Sequence, residues 1–171
     1  MTLSKTSICA FGWKSHDFAL RGVDGKTYTL AEVRGPKGTL VVFICNHCPY
    51  VRAVISRLVA EAKALREIGI GTIAIMPNDT ETCREDSFDN MKAFAAKHGF
   101  TFPYVIDETQ EVARAYGAQC TPDFFGFNAR DYNGRPFRLR QGWNETYHSF
   151  QRSLPATTNK PIRQKSTTAI R

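Results

Sequence analysis

Two cysteines stand two residues apart in the stretch LVVFICNHCPYV, residues 40–51, where a hydrophobic run stops and a proline follows at once. A pair spaced as Cys45-Asn46-His47-Cys48 can exchange with disulfides, close on itself, or offer sulfur to a soft metal. Which sulfur is the nucleophile depends on the element that carries it. Proline is favoured at the first helical position, where its missing N–H costs nothing. Pro49 therefore places Cys48 at the N-cap of a helix. There the first-turn amides and the helix dipole favour thiolate over thiol. The dipole contributes roughly 0.3–2 kcal/mol, or about 0.2–1.5 pKa units. Cys48 is thus the expected nucleophile. Cys45, at the strand end or in the connecting turn, is the expected resolving thiol. His47 either lends an imidazolium to that thiolate or is a plain loop histidine. A third thiol lies in Cys120-Thr121-Pro122. Residues alone favour a trans bond there, because most X-Pro bonds are trans. Cys9 and Cys83 read as incidental.

The elements that position these residues follow from pattern. FALRGVDGKTYTL, residues 18–30, has Asp24-Gly25 between alternating segments, which predicts a hairpin. A short helical turn at Ala31–Val33 precedes Thr39–Ile44, apolar throughout after Thr39, as in a strand covered on both faces. After Pro49, Val51, Val54, Ile55, Leu58, Ala62 and Leu65 recur at steps of three and four, so the helix has one apolar face. Thr72–Met76 is the next strand. Phe88, Met91 and Phe94 mark a second helix, and Tyr104–Ile106 a strand. Asp107-x-x-Gln110 has the form of a capping box before a third helix, EVARAY. Phe124–Phe127 is a strand, and Asn133-Gly134 turns into a partner at Pro136–Trp143. The order predicts an α/β fold: a central mixed sheet flanked by helices, with an N-terminal hairpin.

The chain's 171 residues fit one domain. We expect an extension over 1–14, a domain over 15–143 and a divergent, loosely ordered basic segment over 144–171. No run approaches the ~18 apolar residues of a membrane span. A cytoplasmic location and no membrane partner are the expectations. The net charge is +7, and residues 1–128 balance at 14 basic and 14 acidic. All the excess lies beyond, where nine basic residues face only Asp131 and Glu145. They are spread out, which favours a solvated tail over a nucleic-acid surface. Five cysteines in a reducing compartment are not a disulfide scaffold, so a close pair there is more often catalytic or metal-binding.

The blocks HDFALRGVDGKTYTL, GTLVVFICNHCPYV and EDSFDNMKAFAAKHGFTFPYVIDETQEVARAYGAQCTPDFF resemble the thioredoxin-like superfamily, in its peroxiredoxin-like or redoxin (AhpC/TSA) branch, over roughly residues 15–128. The resemblance implies a catalytic cysteine at the helix start, a cis Pro122 facing it, and a closing C-terminal helix. The reductase pattern V-V-F-W-A-x-W-C-x-x-C, matched at Phe43, sets its first cysteine on Cys48 and its second on Val51. The acid that many thioredoxins bury on this strand falls on Val42. The peroxidase pattern P-x-x-x-T-x-x-C sets its cysteine on Cys48, its threonine on Cys45 and its proline on Val41.

The reading that follows is a thiol–disulfide oxidoreductase needing no cofactor. Cys48 attacks, and Cys45 or Cys120 resolves. Asn46, His47, Pro49, Thr121 and Pro122 line the path of a protein disulfide, and an unidentified reductant restores the thiols. Within enzymes the alternative is an antioxidant peroxidase passing through a Cys48 sulfenic acid. Outside them it is Zn or Cu binding by Cys45, His47, Cys48 and Cys120, or a non-catalytic binding module. Oligomeric state is open.

Overall fold

The computed structural model describes residues 15–129 and 160–161. Six strands form one sheet, side by side in the order β2 (Thr27–Thr29), β1 (Ala19–Gly22), β5 (Tyr104–Ile106), β4 (Ile70–Met76), β3 (Gly38–Phe43) and β7 (Asp123–Asn128). The N-terminal hairpin is β1 (Ala19–Gly22) and β2 (Thr27–Thr29), antiparallel as Asp24-Gly25 predicts. Central strand β3 (Gly38–Phe43) is buried at every residue. It runs parallel to β4 (Ile70–Met76), and β4 runs parallel to β5 (Tyr104–Ile106). Strand β7 (Asp123–Asn128) runs antiparallel to β3 with Phe43 opposite Asp123. The sheet is therefore mixed, as the alternation of elements predicts.

Helices cover both faces because each carries an apolar stripe. Helix α2 (Pro49–Glu67) buries Val51, Val54, Ile55, Leu58 and Ala62. With Met91 and Phe94 of α3 (Phe88–His98), residues of that stripe pack on Val42, Ile44, Ala74 and Met76. On the other face, Leu30 and Val33 of α1 (Leu30–Val33) join Ala113 and Tyr116 of α4 (Glu111–Tyr116) over Val41, Phe43, Ile73 and Ile75. Successive residues of β3 thus serve opposite cores, as the two-residue period of a strand requires. Helix α1 opens on a capping box that the pattern reading passed over: Thr29 Oγ1 accepts from the Glu32 amide and Glu32 accepts from the Thr29 amide.

The capping box expected at Asp107-x-x-Gln110 is not formed. Gln110 has φ 60°, and its side-chain amide donates to the Pro77 carbonyl at 2.6 Å. Asp107 caps α4 from further back, accepting from the Ala113 amide at 2.8 Å. The left-handed turn at Gln110 swings its side chain away from the helix start and leaves the orphan N–H groups to Asp107. The hairpin partner expected at Pro136–Trp143 lies outside the described residues, as does the expected closing C-terminal helix. So do the N-terminal extension and most of the basic segment. Within that segment Lys160–Pro161 form β8, antiparallel to β6 (Cys120–Thr121).

Candidate active site

The carboxyl ends of adjacent parallel strands bring their following loops together. Cys45–Cys48 follow β3, and the segment from Pro77 to Asp86 follows its neighbour β4. Strand β7 enters beside the same edge, because antiparallel pairing sets its start against the end of β3. Three segments far apart in sequence meet there.

Cys48 is the N-cap of α2 with extended φ/ψ of −65° and 120°, and Pro49 is the first helical residue. The thiol expected at the helix start is there. It is nonetheless buried: Cys48 is 0% exposed and Cys45 1%. Both belong to the apolar cluster under α2, packed with Val51, Ile55 and Phe124. Both are free thiols.

The two sulfurs meet Thr121. Cys45 Sγ lies 3.1 Å from Thr121 Oγ1, and a protonated Cys48 donates to the Thr121 carbonyl at 3.2 Å. The Thr121–Pro122 bond is cis, against the bare expectation for X-Pro and as the family resemblance implies. Cys120 is fully buried, but alternation along a strand turns its side chain to the face opposite Thr121. Within this segment Thr121 is the residue that meets both sulfurs.

Electrostatics separates the pair. Cys48 is held down to about 5, first by the hydrogen bond from the Cys45 thiol. Burial pushes the other way, and the Val51 amide, the Thr121 side chain and the Tyr50 amide add to the lowering. Cys45 is pushed strongly upward by its bond to Cys48, by burial and by the negative charge of Asp86, against a smaller opposing pull from Thr121. One proton therefore sits on Cys45 and is shared toward Cys48, an arrangement of one thiolate and one thiol.

Asp86, not singled out from sequence, is fully buried at the centre of this loop cluster. It accepts from the amides of Asn46 (2.8 Å) and His47 (3.3 Å), the His47 ring (2.7 Å) and the Asn78 side chain (2.8 Å). The role expected of His47 changes accordingly. Its ring is bound to Asp86 and lies 3.3 Å from Cys83 Sγ, so it is turned to the β4 loop. Cys83, read as incidental, is buried against that ring. Asn46 is likewise hydrogen-bonded within the protein. Its carbonyl accepts from Arg52 (2.8 Å), its Oδ1 from Tyr104 (3.0 Å), and its side-chain amide donates to the Glu85 carbonyl (3.2 Å). Pro49 stays exposed at the rim. Only the topology could have pointed to Asp86: two adjacent parallel strands imply two adjacent loops.

Cys45, His47 and Asp86 offer sulfur, nitrogen and oxygen within 4.8 Å of one another, as do His47, Cys83 and Glu85. These differ from the expected set of Cys45, His47, Cys48 and Cys120. Both share His47, whose Nδ1 is already bonded to the Asp86 carboxylate.

A model of the AhpC/TSA family matches residues 11–141. The chain belongs to the AhpC/TSA family. This AhpC/TSA chain is 27% identical over 116 residues to the curated thiol-disulfide oxidoreductase ResA of Halalkalibacterium halodurans, a match covering 68% of the chain and 61% of that relative. An uncharacterized conserved protein from Geobacillus kaustophilus shares its fold at TM-score 0.80 and 33% identity, over 98% of each chain. A thiol:disulfide interchange protein of the thioredoxin family, from Chlorobium tepidum TLS, superposes at TM-score 0.61 over 86% of this chain and 100% of its own, with 21% identity. The fold of this AhpC/TSA member is thioredoxin-like.

Proposed function

We propose that the chain is a thiol–disulfide oxidoreductase in which Cys48 attacks and Cys45 resolves. The observation that carries this is the unequal pair at the start of α2: a sulfur held down to about 5 beside one pushed strongly up. The ResA relative supports the same class of reaction.

The steps balance as thiol–disulfide exchange. Cys48 thiolate attacks one sulfur of a substrate disulfide. The substrate S–S bond breaks, a Cys48–substrate disulfide forms, and one substrate thiolate leaves and takes a proton. Cys45 then gives up its proton and attacks Cys48 Sγ, expelling the second substrate thiol. The substrate gains two electrons, and the protein is left with a Cys45–Cys48 disulfide. An external dithiol reverses that bond. The Thr121 segment borders both sulfurs; because Cys48 is buried, its attack on a substrate requires that segment or the exposed rim at Pro49 to move aside.

Cys48→Ser is expected to abolish dithiothreitol-driven reduction of a protein disulfide such as insulin. Cys45→Ser is expected to accumulate a mixed disulfide that mass spectrometry maps to Cys48. Full turnover by Cys45→Ser without any adduct would remove Cys45 from the mechanism. Faster turnover of hydrogen peroxide than of disulfide would overturn the reading itself.

A further inference from the structure

The peptide groups between the two cysteines are gripped by side chains that belong to neither thiol. Asp86 Oδ1 takes the amides of Asn46 and His47, and its Oδ2 takes the His47 ring and the Asn78 amide. Arg52 of α2 and Tyr104 of β5 hold Asn46 from its carbonyl and its side-chain oxygen. Four donors converge on the one buried carboxylate. Two amides and the Asn78 side chain can only donate here, so the ring joins them through Nδ1–H. A carboxylate accepts from all four, whereas an asparagine in its place would keep one acceptor oxygen and turn an NH₂ group toward donors. The site thus calls for a carboxylate, not merely for a polar residue. The titratable or charged groups that face it are Cys45 and His47 from the turn and Tyr104 from β5. Cys83 lies on the His47 ring, and Arg52 lies across the turn.

We propose that Asp86 is a positioning residue of the exchange reaction: it fixes the turn that sets Cys45 against Cys48 and keeps Cys45 as the resolving thiol. This rests on the oxidoreductase reading above. The carboxylate acts through two backbone amides, one imidazole and its own charge. That charge disfavours a second thiolate on the turn, so the pair holds one attacker and one proton carrier.

The test is Asp86→Asn, with Asp86→Glu as the conservative variant. Iodoacetamide labelling resolved by peptide mapping reads the Cys48:Cys45 ratio at pH 7 and needs no substrate. Asp86→Asn is expected to lower that ratio about tenfold, one pKa unit of lost separation. It is also expected to lower kcat for disulfide reduction at least tenfold with KM held within threefold, and Asp86→Glu to recover part of both. A ratio and kcat within twofold of the wild type, even with a lower melting temperature, would reduce Asp86 to a structural residue and overturn the proposal. Should Asp86→Asn fail to fold, Asn78→Ala keeps the charge and removes one donor from Oδ2. Severalfold slower resolution of the mixed disulfide supports the proposal, and a wild-type rate overturns it. A wild type that labels Cys48 first yet reduces no disulfide would sink the oxidoreductase reading and leave the labelling test of Asp86 in force.

Discussion

At Cys48, burial and hydrogen bonding oppose each other, and hydrogen bonding wins. Because the thiol of Cys45 is the largest contributor, Cys45→Ala should raise the midpoint of Cys48 alkylation above the value near 5 expected for the wild type. Below that midpoint the rate should fall about tenfold per pH unit, since only the thiolate reacts. A midpoint unmoved by Cys45→Ala would show that the helix amides carry the effect alone. Asp123 behaves in the opposite sense. Burial pushes it from 3.8 to about 6, against the amides of Gln119 and Phe124. A carboxyl raised on folding favours the native state below its unfolded pKa, and this advantage is lost as pH rises through about 6. Asp123→Asn should therefore flatten the fall in stability between pH 4 and 7, a change on the order of 1–3 kcal/mol. Urea titrations at the two pH values check it, and an unchanged slope refutes it. The roles of Cys48 and Cys45 were legible because Pro49 marks the helix start locally. Asp86 and Cys83 were not, because their signal lies in contacts that span 36 to 40 residues of sequence.

Among the elements, β4 shows how closely backbone approaches backbone at the end of the sheet away from the dithiol. Gly71 lies opposite Thr39 on β3, and a Cβ there would collide with the Val33 carbonyl that closes α1. Neither side of that contact is a flexible side-chain tip, so the strand must shift. Gly71→Ala is expected to cost about 2–4 kcal/mol, read as a lower urea midpoint with unchanged slope. A loss under about 0.5 kcal/mol would mean that α1 moves freely. Periodicity located the elements well where one face is buried, as in α2, or both are, as in β3. The start of α4 was placed correctly but its cap was not, because the turn at Gln110 depends on a carbonyl at Pro77 that no local pattern reveals. The constraint on Gly71 comes from Val33 of a helix 38 residues earlier, which no local pattern reveals.

For the molecule as a whole, the outstanding link runs from the basic segment to the dithiol. Thr121 touches Cys45 through its hydroxyl and Cys48 through its carbonyl. The same residue pairs with Lys160, while Cys120 pairs with Pro161. A two-residue ladder adds little stability by itself, since isolated strand pairs are marginal in water. Its leverage is positional: whatever steadies Thr121 steadies the groups that set the two sulfurs apart. Truncation after residue 158 should leave the six-stranded sheet intact and lower the melting temperature by only a few degrees. It should nevertheless raise the rate of Cys48 alkylation at pH 7 about three- to tenfold, because Thr121 then moves away from the sulfur more often. Truncation after residue 162 keeps both strand partners and should label at the wild-type rate. If the two truncated chains label alike, the pairing at Lys160–Pro161 does not govern access to Cys48, and the burial of that sulfur has its origin in α2 and β7 alone.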